Sequence, residues 1–132
     1  MPSSIFALVE SDDLQRLCSA DAIQAVGYDC VHFKTARDLA RALERGASFE
    51  AAGIGLHPHA PDEHREAMDI WRWMARDAQR PVLFMAHATE LEFLKPSLRE
   101  FLAQPGTDFI CTPMQDEELR LRLDLLARKK RD

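Results

Sequence analysis

The stretch Phe49-Glu50-Ala51-Ala52-Gly53-Ile54-Gly55-Leu56 reads as a buried strand. From Ala51 onward it carries no polar side chain, so neither face is suited to water. A strand apolar on both faces belongs inside a parallel sheet covered by helices. On either side of it, short apolar runs alternate with longer amphipathic stretches, and that alternation points the same way.

Before it, Ile5-Phe6-Ala7-Leu8-Val9 reads as a first buried strand. Asp12 or Asp13 can cap a helix running to about Val26, where Gly27 supplies a stop. Cys30-Val31-His32-Phe33 is a second, less apolar strand, expected nearer an edge. Thr35 caps a helix with Leu39, Ala42 and Leu43 inward, ended by Gly46. After Gly55 comes a polar loop, His57-Pro58-His59-Ala60-Pro61-Asp62, which its two prolines keep out of a helix. Asp62 is expected to cap a helix containing Met68, Trp71 and Met74. Pro81-Val82-Leu83-Phe84-Met85-Ala86 is the fourth strand. Residues Thr89 to Gln104 have a helical pattern, with Pro96 predicting a start or a kink near that position. Asp108-Phe109-Ile110-Cys111 is the last strand. A final helix runs from about Gln115 with Leu119, Leu123 and Leu126 inward, acids first and bases last.

Five strands alternating with five helices predict a doubly wound α/β sandwich. Sites in such folds lie beyond the carboxyl ends of the strands, where strand order reverses. Glu10, Ser11, Gly55, Leu56, Ala86 and Thr112 all fall at those ends.

The chain of 132 residues is expected to form one domain, large enough to bury about two-thirds of its unfolded surface. Apolar residues make up 46% and charged residues 30%, which argues against disorder. A net charge of -5 argues against a broad basic surface for nucleic acid. The basic end, Arg128-Lys129-Lys130-Arg131, suits the negative end of a helix dipole. Cys18, Cys30 and Cys111 have no metal or redox spacing, and no secretory segment opens the chain at Met1-Pro2-Ser3-Ser4. Reduced thiols in a cytoplasmic protein are expected. No apolar run approaches the roughly 20 residues that span a bilayer.

Four pieces, in order and at nearly regular intervals, resemble the receiver domain of two-component response regulators. They are Leu8-Val9-Glu10-Ser11-Asp12, the fourth strand ending at Ala86, Gly106-Thr107-Asp108-Phe109-Ile110-Cys111-Thr112-Pro113, and the helix Gln115-Asp116-Glu117-Glu118-Leu119-Arg120-Leu121-Arg122-Leu123. The resemblance covers the whole chain and implies a five-stranded, flavodoxin-like sheet with five helices. It also implies a cis peptide before Pro113.

The departures from that family fall on its chemistry. The phosphate-accepting aspartate corresponds to Gly55, which has nothing to phosphorylate. Of the acids that hold a divalent metal, Glu10 is present, Ser11 replaces another and Asp12 is better placed as a helix cap. A single carboxylate is a poor magnesium site, because Mg²⁺ demands several oxygen ligands. The hydroxyl residue that reads the phosphoryl group corresponds to Ala86, and the lysine that neutralises it to Thr112. The aromatic that turns on activation corresponds to Phe109, whose expected role here is core packing. The expectation is therefore a degenerate receiver without phosphorylation, metal or cofactor, working through protein contacts. Family analogy places it at the amino end of a longer signalling protein and coupled to an effector.

Several residues are candidates for other roles. His57, His59 and His64 could form a metal site, but no helix sets their geometry, so a solvated loop is expected. Trp71 aligns with Met68 and Met74 as core, which leaves Trp73 exposed or lying against the loop. Family members often dimerise through the fourth helix, last strand and last helix. Phe101, Asp108, Glu118 and Arg122 are the candidates on that face, with Asp108 and Arg122 pairing across a two-fold axis. No nucleophile-base pair or phosphate-binding glycine loop occurs, so no enzyme is expected. Two alternatives remain open. One is phosphorylation at an unusual acceptor, Asp12 or His57. The other is a small ligand in the space around Gly55, Ala86 and His57.

Overall fold

The computed structural model describes residues 4–78 and 80–131, with backbone alone at 77–78 and 127–131. The side chains of the basic end and residues Met1-Pro2-Ser3 lie outside the described residues.

The elements follow the chain as β1 (Ile5–Val9), α1 (Asp13–Ala25), β2 (Asp29–Phe33), α2 (Ala36–Glu44), β3 (Ala51–Gly55) and α3 (Pro61–Trp73). Then come β4 (Val82–His87), α4 (Leu91–Ala103), β5 (Thr107–Thr112) and α5 (Asp116–Arg131). The five strands form one sheet in the order β2-β1-β3-β4-β5, and every pairing is parallel. Strand order reverses between β1 and β3, so a crevice opens beyond their carboxyl ends.

Side-chain alternation along each strand feeds two cores. Ala7, Val9, Ala52, Ile54, Val82 and Phe84 pack under α2, α3 and α4, against Leu39, Met68, Trp71, Leu94 and Phe101. Phe6, Leu8, Ala51, Leu83, Met85 and Ile110 pack under α1 and α5, against Ile23, Leu119, Leu123 and Leu126. Gly53 belongs to the second layer. A Cβ there would stand 2.7 Å from the Phe6 ring and 2.9 Å from Met85 Cε, so glycine makes room for both. In the first core, the rings of Phe84 and Phe101 stack at 4.1 Å. Trp71 meets both edge-on, and its indole N–H donates to the Thr107 hydroxyl at 3.0 Å.

The helix starts follow local chemistry. Asp12 caps α1, accepting from the Gln15 N–H, and Thr35 caps α2, accepting from the Asp38 N–H. Gly27 and Gly46 follow α1 and α2 in the left-handed region, with φ of 102° and 96°. The Thr112-Pro113 peptide is cis, and all three cysteines are free.

Three sequence expectations are corrected. Asp62 does not cap α3. The helix begins at Pro61, and its cap position, Ala60, makes no side-chain bond. Proline is well suited to the first helical position, where the N–H has no intrahelical partner. Pro96 does not start α4, which begins at Leu91 and continues through it. Leu94 and Phe101 are buried on either side of the proline, and that apolar burial outweighs one lost ladder bond. Trp73 is half-buried against the first core, so it is no free anchor.

Candidate functional site

The crevice is built by the turns that follow β1, β3 and β4. Glu10 comes directly after β1, where its N–H donates to the Phe33 carbonyl at 3.0 Å. Its carbonyl accepts from Arg16 at 3.0 Å, which ties the turn to α1. The Glu10 side chain turns inward and is buried. Its Oε2 accepts from the Asp12 N–H at 3.1 Å and is hydrogen-bonded to His57 Nε2.

Gly55 ends β3 beneath that carboxylate. A Cβ on Gly55 would lie 2.3 Å from Glu10 Oε1 and 2.8 Å from Glu10 Cδ. The acid of β1 thus fills the space that a side chain at position 55 would take. His57 follows on the β3–α3 connection, half-buried. Its hydrogen bond with Glu10 raises its pKa above the ordinary imidazole value, against the opposing effect of burial; the charges of Glu10, Glu63 and Asp12 add to the rise. Ser11 is exposed, Ala86 and Thr112 are buried, and Phe109 is half-buried against the first core.

The three candidate histidines do not converge, and His64 lies on α3, not on the loop. His57 binds Glu10. His59 stands 2.8 Å from Glu90 Oε2 and meets the Phe93 ring edge-on at 4.6 Å. The Nδ1 of His64 is buried without a hydrogen-bond partner, and burial lowers the pKa of that ring. Among the described residues, no group of three or more His, Cys, Asp or Glu side chains is arranged to hold a metal.

The donor set does not fit a divalent cation either. Oε2 of Glu10 is engaged by His57 and a backbone N–H, and the Asp12 carboxylate is spent on capping α1. Ser11 and Gly55 bring no carboxylate.

A cavity of about 210 Å³ remains in the crevice, lined by Glu10, Asp12, His57, His87, Glu90 and Thr112. Sequence reading missed His87 and Glu90. The sheet register brings them here, since β4 extends to His87 beside Thr112 of β5. The His87 ring is held in the turn, with Nδ1 2.8 Å from the Thr89 hydroxyl.

Two of the candidates on the expected interaction face are occupied internally. Phe101 is fully buried in the aromatic stack and offers no surface. Asp108 is buried and accepts from Arg122 of the same chain at 3.4 Å and from the Phe109 N–H at 2.8 Å. The expected Asp108–Arg122 pair across a two-fold is thus an intrachain pair. Glu118 is exposed. Large apolar surface on the helices flanking β5 comes instead from Phe93 and Leu102 on α4 and Leu121 on α5, all more than half exposed.

The strand order and layers define the receiver-domain fold, and solved structures agree. Full-length FixJ from B. japonicum superposes with a TM-score of 0.71 at 18% identity, covering 98% of this chain and 60% of that one. This chain therefore spans less than two-thirds of FixJ. The signal receiver domain of an HD domain-containing protein from Pseudomonas fluorescens Pf-5 gives 0.73 at 13% identity, covering 99% and 91%. The signal receiver domain of a putative Luxo repressor protein from Vibrio parahaemolyticus gives 0.71 at 17% identity, covering 98% and 94%. At these identities the likeness is one of fold. No protein-family model matches the sequence, and no curated protein matches it. Among the described residues, no helix is long and apolar enough to cross a membrane.

Proposed function

We propose that this chain is a receiver-like signalling module that works without phosphorylation, by binding a protein partner or pairing with a second copy. The observation that carries this reading is the Glu10 carboxylate lying over Gly55. The place of an acceptor side chain is filled by an acid already bonded to His57. Ala86 and Thr112 bring neither a switch hydroxyl at the end of β4 nor a cation at the end of β5. An acyl phosphate formed here would find no metal and no lysine to stabilise its charge.

The contact face we assign is the edge formed by α4, β5 and α5. Support comes from the exposed Leu102 and Leu121, with the exposed Glu118 on the rim. A linked or separate effector domain would be the target of that contact.

The test is intact-mass spectrometry after incubation with Mg²⁺ and a small phosphodonor such as acetyl phosphate, beside an amide NMR spectrum with Mg²⁺ and beryllofluoride. An unchanged mass and no saturable shifts at Glu10, Gly55 and Ala86 are expected. A phosphoryl adduct would overturn the reading. Asp12 and His57, the alternative acceptors, are engaged in the α1 cap and the Glu10 bond, which disfavours both. A small-ligand sensor is the second reading, favoured by the cavity at Glu10, His87 and Thr112. Ligand-dependent thermal stabilisation would select it.

A further inference from the structure

Glu10 is the only acid buried at the carboxyl ends of the strands among the described residues. A carboxylate taken out of water needs hydrogen bonds or a counter-charge. In receiver-like pockets a divalent ion meets that need. The present donor set does not fit one, yet Glu10 remains buried, so something else must satisfy it. Two groups do so: the Asp12 N–H, which is local, and the His57 ring, which arrives from the far side of the switch point. The other carboxylate oxygen is turned over Gly55, where only a glycine leaves room for it.

We propose that the His57 ring takes the place at Glu10 that a divalent ion would need. The Glu10–His57 contact is then a latch that fastens the β3–α3 connection to the end of β1. Two features act together: glycine at 55 admits the carboxylate, and the carboxylate captures His57. The surroundings favour such a partner. Asp12 from the start of α1 and Glu63 from α3 add negative charge around the ring, and Glu90 and His87 line the same cavity from the turn after β4. The latch goes beyond the proposed function, since it would hold whatever partner the module binds.

The experiment is a Mg²⁺ titration followed by amide NMR on the wild-type protein and on His57→Ala. The wild-type should show no saturable shift at Glu10 or Asp12. The variant should likewise show none, since Glu10 remains a lone carboxylate there, and the amides of residues 57–60 should change as the connection is released. A variant whose amides at residues 57–60 stay unchanged would overturn the proposal, as would wild-type protein in which Mg²⁺ drives His57 off Glu10. A second readout serves if His57→Ala does not fold. The ring-nitrogen shifts of His57 should differ between the wild-type and Glu10→Gln, and unchanged shifts would count against the latch. A phosphoryl adduct on the wild-type would sink the phosphorylation-independent reading by a separate measurement, leaving these two to decide the latch.

Discussion

At Gly55 the missing side chain and the inward turn of Glu10 express one constraint, because a Cβ there would overlap the Glu10 carboxylate. The obstacle is the end of a flexible side chain, so a substitution would displace Glu10 and leave the backbone in place. Gly55→Ala should break the His57 contact and cost about 1–2 kcal/mol by chemical denaturation, the scale of a buried polar group losing its partner. Gly55→Asp should not restore phosphorylation, as intact mass after acetyl phosphate would show, since Ala86 and Thr112 still lack the supporting groups.

His57 also makes stability depend on pH. Its folded-state pKa is raised by Glu10 above the ordinary 6.5. The native protein then holds a proton that the unfolded chain releases, so stability falls as pH rises. The contribution is complete below 6.5 and lost as pH climbs through the raised value. His64 acts in the opposite sense, since burial lowers its pKa and costs stability as pH falls below 6.5. Comparing the wild-type with His57→Gln cancels His64. Above 6.5 the melting temperature of the wild-type should fall more steeply with pH than that of the variant, and parallel curves would contradict the ion pair.

At the scale of elements, the helix starts and the aromatic stack make separable predictions. Asp12→Ala removes the α1 cap and should cost about 1 kcal/mol. Asp62→Ala should cost only a few tenths, because Asp62 sits inside the first turn of α3, makes no cap bond and has only the dipole and a solvent-exposed pair with Arg65. Equal costs in urea melts would mean that the α3 start is misassigned. Trp71→Phe keeps much of the ring packing but leaves the buried Thr107 hydroxyl without its indole donor, at a cost of about 1–3 kcal/mol. Trp71→Ala adds a cavity between α3 and the sheet and should reach about 3–5 kcal/mol.

For the molecule as a whole, the two faces of the sheet are closed by their helices, and the module has its crevice at one end and exposed apolar surface beside β5. If copies pair through that edge, molar mass measured over a concentration series should rise toward a dimer, and Leu102→Glu with Leu121→Glu should abolish the rise. A wild-type monomer at the highest concentration would eliminate the homodimer and leave a heterologous partner as the target.

The amino-acid sequence determined the order and kind of the five strands and the five α-helices, though not the short helical turns at Met74–Ala78 and Ala88–Glu90, because apolar period and most capping residues act locally. It also placed Glu10, Gly55, Ala86 and Thr112 at strand ends, since position along a strand is a local property. It did not reveal where the Glu10 side chain points, that His57 reaches it, or that His87 and Glu90 join the same cavity. Those facts depend on strands far apart in the chain becoming neighbours at the switch point. The start of α4 before Pro96, the burial of Phe101 and the inward pairing of Asp108 with Arg122 likewise followed from packing. Side-chain pairing is chosen by what lies across the sheet or beneath the helix, and no local pattern carries that information.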